Sequence, residues 1–171
     1  MTEVLACTGI GTYDQYPTLW GAPTKVAAVA APDDESTSGI GSPLFGVPQS
    51  PVSQSFTLGA SAIPPGDVID DVAVRLRSTH GADPVSTYQA FVRLGGVEVY
   101  GPSIDPGVVW TTISTSLARP GGGPWQIADL AGTELGSLCD SGGYHYITTA
   151  ELVITYHTPA ATTGDMLLCM A

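Results

Sequence analysis

"VIDDVAVRLR", residues 68–77, decides the fold class. Val72, Val74 and Leu76 fall on one side of a period-2 alternation while Ala73, Arg75 and Arg77 fall on the other, the pattern of a strand with one buried face. The same period recurs downstream. In "STYQAFVRLGG" the set Tyr88, Ala90, Val92 and Leu94 alternates with Gln89, Phe91 and Arg93, and Gly95-Gly96 then turns the chain into "VEVY", giving a hairpin over residues 91–99. "VVWTTISTSLA" sets Thr111, Ile113, Thr115 and Leu117 against Trp110, Thr112, Ser114 and Ser116, with β-branched residues throughout. "AELVITYHTP" sets Leu152, Ile154 and Tyr156 against Val153, Thr155 and His157 and is ended by Pro159. Strands also fit "TKVAAVAA" (24–31) and "SQSFTLG" (53–59).

About seven short strands with Gly/Pro-rich turns predict an all-β, two-sheet antiparallel β-sandwich, because each one-faced sheet needs a second to cover it. Composition agrees: 21 Gly and 14 Pro among 171 residues favour turns over long helices. A chain of this size buries roughly 70% of its unfolded surface, so one complete core is expected. The loops "APDDESTSGIGSPLFGVPQSP" (31–51) and "RPGGGP" (119–124) lack periodicity and should lie at the ends of the sheets. Residues 1–23, which carry Tyr13, Tyr16 and Trp20, read as an aromatic N-terminal arm, with residues 24–171 as the single sandwich domain.

One segment has a different period. In "PWQIADLAGTELG" (124–136), Ile127, Leu130 and Ala131 recur at i, i+3 and i+4, with Leu135 and Leu138 continuing the stripe. The spacing predicts a short helix near 125–138, opened by Pro124 and anchored by Trp125, that plugs one end of the core through Trp125, Ile127, Leu130 and Leu135.

Sixteen acidic residues against five basic ones give a net charge of −11. Such a surface repels phosphate backbones and anionic membranes, which argues against nucleic acid as a partner, and it favours solubility. Three cysteines, Cys7, Cys139 and Cys169, show no C-x-x-C spacing and suggest neither a disulfide framework nor a zinc site. "VLAC" (4–7) resembles a lipoprotein cleavage box, but only six residues precede the cysteine, with no basic or apolar region of a signal peptide. No apolar run approaches the ~20 residues that span a bilayer.

Neither G-x-S-x-G nor H-E-x-x-H occurs, and His80, His145 and His157 stand apart in the sequence, each reading as a surface or turn histidine. The sequence therefore supports no catalytic residue, no resident metal and no cofactor. Asp33 to Glu35 and the group Asp67, Asp70 and Asp71 could contribute oxygens to Ca2+, but neither matches an EF-hand loop, and solvated loop charge accounts for both. Aromatic rings could instead stack on sugars, and Tyr100, Trp110 and Tyr144 are the candidates for glycan contact, alongside Trp20.

Two regions carry a resemblance. "PWQIADLAGTELGSLCDSGGYHYITTAELVITYHTP" contains Trp125, Asp129, Leu130, Leu135, Gly136 and the closing Ile154-Thr155-Tyr156, and "LWGAPTKVAAVAAPDDESTSGIGSP" precedes "QSFTLG". Together they resemble structural proteins of tailed bacteriophages, in which a Trp-x-x-x-Asp-Leu segment and a Leu-Gly precede a closing strand. Cys139 and the aromatic "YHY" depart from that pattern. The resemblance implies a jelly-roll-like, non-enzymatic virion component made in the host cytoplasm, most simply a capsid-decoration (cement) or other particle-surface subunit. It further implies contacts with other virion proteins such as the major capsid protein, a homo-oligomeric state with a trimer as one option, and Tyr13, Tyr16 and Trp20 as contact residues. The alternative is a carbohydrate-binding β-sandwich module serving a tail or fibre.

Overall fold

Gly95 and Gly96 adopt φ of 58° and 87°, a left-handed conformation that side chains beyond Gly rarely take. Their two-residue turn joins β6 (Tyr88–Leu94) to β7 (Val97–Ile104) in the expected hairpin, with Leu94 opposite Val97. Around this tip the chain pairs in nested fashion. Strand β5 (Val68–His80) pairs with β8 (Thr111–Ser116), β4 (Val52–Leu58) with β9 (Glu134–Cys139), and β1 (Thr2–Asp14) with β10 (His145–His157), all antiparallel. The chain is thus one long hairpin wrapped on itself. Because β5 also pairs with β10 and β6 with β9, the nested pairs fall alternately into two sheets, β1-β10-β5-β8 and β4-β9-β6-β7. This strand order is that of a jelly-roll β-sandwich, not closed into a barrel.

The computed structural model describes residues 1–30, 38–42, 51–80, 86–140 and 144–160. The core forms where the predicted alternation turns inward. Val72, Val74, Leu76, Leu152 and Ile154 of the first sheet and Phe56, Tyr88, Val92 and Leu135 of the second are all at most 1% exposed. Short strands β2 (Thr18–Trp20) and β3 (Gly39–Gly41) extend the first sheet past the start of β10.

Three expectations are corrected. Residues 1–23 are not an arm: the first half of β1 pairs with β10 in one sheet, and the second half, beyond a register shift between Cys7 and Gly9, pairs with β4 in the other. A strand that changes sheets also changes which side is buried, so its alternation is blurred in the sequence. The stretch read as a strand at 24–31 instead begins helix α1 (Lys25–Ala30), in which the Thr24 hydroxyl accepts the Ala27 N–H at 3.1 Å. An apolar Val/Ala run fits either period, and a Thr cap with three alanines tips it to helix. Finally, helix α2 covers only Ile127–Leu130. The N–H groups of Gly132 and Thr133 bond back to Asp129 and Leu130, ending the turn, and the chain re-extends at once. Leu135 and Leu138 therefore lie in β9, with Leu135 opposite Phe56 and Val92.

Candidate binding faces

The plug segment is inward-facing. Trp125 is 8% exposed and donates its indole N–H to the Leu117 carbonyl at 3.0 Å; Leu130 is 1% exposed, and Ile127 is half-buried. Arg119 grips Asp129 through two parallel bonds of 2.7 and 2.9 Å, and Asp129 also accepts the Gln126 N–H at 2.8 Å. The guanidinium bonds, with that N–H, hold the Asp129 carboxyl below its ordinary value despite partial burial. A shallow cleft of about 480 Å3 lies beside the plug, between Val68, Ile69, Gln126 and Ile127. Its Trp is buried, so it presents no flat ring to a ligand.

On the outer face of the second sheet, Phe91 is fully buried beneath Tyr13, at 6.0 Å edge-on, and Tyr100, at 5.3 Å. Both phenols donate to Glu98 at 2.5 Å, and Arg93 lies 3.4 Å from Glu98 and 3.3 Å from Glu134. Glu134 has a further task. The irregularity between Ile10 and Asp14 leaves β1 amides without ladder partners, and Glu134 accepts the Thr12 N–H at 2.6 Å while Ser55 Oγ accepts that of Tyr13 at 3.0 Å. A β-carbon at Gly11 would collide with both the Glu134 and Ser55 side chains, so a larger residue there would displace the groups that hold these amides. Burial alone would raise the Glu134 carboxyl, but bonds from Thr12 and Ser55 and the charge of Arg93 outweigh it and hold it below the usual value. Glu134→Ala should cost about 2 kcal/mol by orphaning these donors, and Glu134→Gln less. Urea unfolding checks this; an alanine variant as stable as the parent would reduce Glu134 to a surface charge.

On the outer face of the first sheet, Trp20 of β2 meets Tyr146 of β10 edge-on at 5.7 Å, and Tyr144 lies parallel to Tyr146, also at 5.7 Å. All three rings are half-buried.

The expected site residues are therefore scattered. Tyr16 is fully buried, with its hydroxyl 3.0 Å from His145 Nδ1, and is closed to any partner; Tyr13 and Trp20 are engaged on opposite sheets of their own sandwich. Tyr100, Trp110 and Tyr144 do not share a face: Tyr100 belongs to the second sheet, Trp110 precedes β8, and Tyr144 leads into β10. Trp20 and Tyr144 do come together, through Tyr146, which the sequence reading missed. Its signal was the alternation of "YHY", with the central His turned inward.

Two of the three histidines are also interior. His80, 7% exposed, lies 3.1 Å from Asp105, while His145 is fully buried, stacked on Tyr88 at 4.4 Å. Strands β5 and β10 run further than their sequence alternation suggests and place these two opposite each other. Ser137 Oγ comes within 3.3 Å of His145, the pairing that a nucleophile needs, but the serine is 1% exposed and burial drops the imidazole to about 3, too weak for a base. His157 is exposed and bonded to Asp70, and Asp71 accepts from Ser116, so these carboxylates are separately engaged. Among the described residues no group of three His, Cys, Asp or Glu is placed to hold a metal. Cys7, buried in β1, donates to the Ala150 carbonyl, and burial pushes its thiol up to about 12; Cys139 meets the Ser86 hydroxyl at 3.3 Å. Asp33 to Glu35 and Cys169 lie outside the described residues.

No family model and no curated protein sequence matches the chain. Among solved structures, the arabinose-bound MgGH51 α-L-arabinofuranosidase matches with a TM-score of 0.51 and 12% identity over 88% of this chain and 27% of that one. The chain spans about a quarter of that enzyme's length. At this identity the likeness concerns the fold: the chain is a jelly-roll-like β-sandwich of a kind also found within a sugar-processing enzyme.

Proposed function

We propose that the chain is a non-enzymatic accessory subunit of a tailed-bacteriophage particle, a capsid-decoration protein or another surface subunit that works by protein–protein contact. The observation that carries this reading is the construction of the Trp-x-x-x-Asp-Leu segment. Trp125 and Leu130 seal the sandwich while Asp129 clasps the preceding loop through Arg119, so the residues of the resemblance form one structural unit. The net charge of −11 supports a subunit that avoids nucleic acid and nonspecific adhesion. With Tyr16 buried, the contact element moves to the β7–β8 connection, where Val108 and Val109 are 66% and 72% exposed. Weak contacts of this kind gain strength by repetition on a symmetric particle.

The test combines light scattering with cosedimentation on emptied phage particles. An oligomer that sediments with particles, and a Val108→Asp/Val109→Asp variant that no longer does, is the expected result; a monomer that ignores particles would overturn the proposal. Carbohydrate binding is the second reading. It is supported by the three half-buried rings on the outer face of the first sheet and by the fold likeness to part of an arabinose-bound enzyme.

A further inference from the structure

We infer that Trp20, Tyr146 and Tyr144 form a saccharide-stacking site on the outer face of the first sheet. The inference rests on the carbohydrate-binding reading and gives it a location. Strand β3 has the sequence Gly-Ile-Gly; Ile40 points into the core at 0% exposure, so the outer side of this strand is bare backbone. Trp20 is in register with Gly39 from one side and Tyr146 with Gly41 from the other. A β-carbon at Gly39 would strike the Trp20 ring, and one at Gly41 the Tyr146 ring. The two glycines thus let the rings settle onto the sheet. Tyr144, two residues from Tyr146 on the same strand face, adds a second ring within 8° of parallel to it.

The surroundings are polar. Next along the sheet Thr149 pairs with Arg77 and Glu151 with Arg75, and across β5 Thr112 and Ser114 complete the row. Arg77 donates to Thr112 at 3.2 Å and Arg75 to Glu151 at 2.7 Å. Two of the chain's five basic residues thus lie on this face, opposite positions of β10 three and five residues beyond Tyr146. An aromatic cluster of one indole and two phenol rings, with hydroxyls, guanidinium groups and a carboxylate further along the same face, suits a sugar, which offers C–H faces to rings and hydroxyls to donors and acceptors.

Affinity electrophoresis in gels containing arabinogalactan, β-glucan or chitin oligosaccharides tests the site. The parent protein should be retarded by at least one of these, and titration with that saccharide should shift tryptophan fluorescence. Trp20→Ala, Tyr144→Ala and Tyr146→Ala should each weaken binding tenfold or more, whereas Tyr100→Ala on the opposite sheet should bind as the parent does. Trp20→Phe, which keeps a ring and the packing, should bind but lose the fluorescence response. If the parent binds and the three alanine variants bind equally well, the site is wrong while the carbohydrate reading stands. If the parent binds none of the saccharides, the carbohydrate reading falls and the site with it.

Discussion

Trp125→Ala should lower the free energy of unfolding by about 3 kcal/mol, the low end of the range for truncating a buried aromatic. The ring is buried in one core cluster with Leu117 and Leu130, and its removal leaves both a cavity and a Leu117 carbonyl without its indole donor. Arg119, held by Asp129, cannot fill the space because its guanidinium is committed to the loop. Because the segment is inward-facing, particle or saccharide binding of the folded variant should be unchanged. Chemical denaturation with a parallel binding assay checks both halves; loss of binding at parental stability would make Trp125 a contact residue instead.

Acidification should begin to destabilise the protein well above the carboxylate range. His145 in the fold takes up a proton only at about 3, because burial, and then the charge of His80, disfavours the imidazolium, against an ordinary value of 6.5. Between these two values the unfolded chain binds a proton that the folded chain refuses, so stability falls with pH by about 1.4 kcal/mol per unit. From pH 6.5, where the unfolded imidazole is already half protonated, to pH 4.5 the loss amounts to about 2 kcal/mol. The groups around the ring do not relieve this: Nδ1 faces the hydroxyls of Tyr16 and Ser137, and among the described residues Nε2 has no hydrogen-bond partner. Asp129 and Glu134, whose carboxyls are depressed, contribute stability that is lost only below their ordinary values near 4, so their effect comes at lower pH. Equilibrium unfolding at several pH values should show the slope in the parent and its absence in His145→Asn, and the His145 ring signals in NMR should not titrate above pH 4. Equal stability at pH 6.5 and 4.5 would refute the account.

The strands with one face against the core were legible from residues alone. In β5, β8, the closing half of β10 and the β6–β7 hairpin, the pleat itself sends alternate side chains to opposite sides, so burial of one face writes period 2 into the sequence. β1 was not legible, because it serves two sheets and carries Gly9 and Gly11 where a bulge and a carboxylate need room. α1 was misread because a six-residue apolar run has too few residues to separate two periods. The candidate site was half legible. Trp20 and Tyr144 stood out as aromatics, but their meeting depends on Tyr146 and on two glycines of a three-residue strand, in three segments far apart in the chain.

The sequence by itself determined the all-β class, the tip of the central hairpin and the inward face of each regular strand, since these follow from φ/ψ preference and from burial along a pleat. The tertiary structure decided which strands neighbour one another, and therefore that Tyr16 and two histidines are interior while Trp20, Tyr146 and Tyr144 share a surface. The reason is physical: alternation specifies a side, whereas neighbourhood is set only when the nested pairs close over one core and every edge finds its partner.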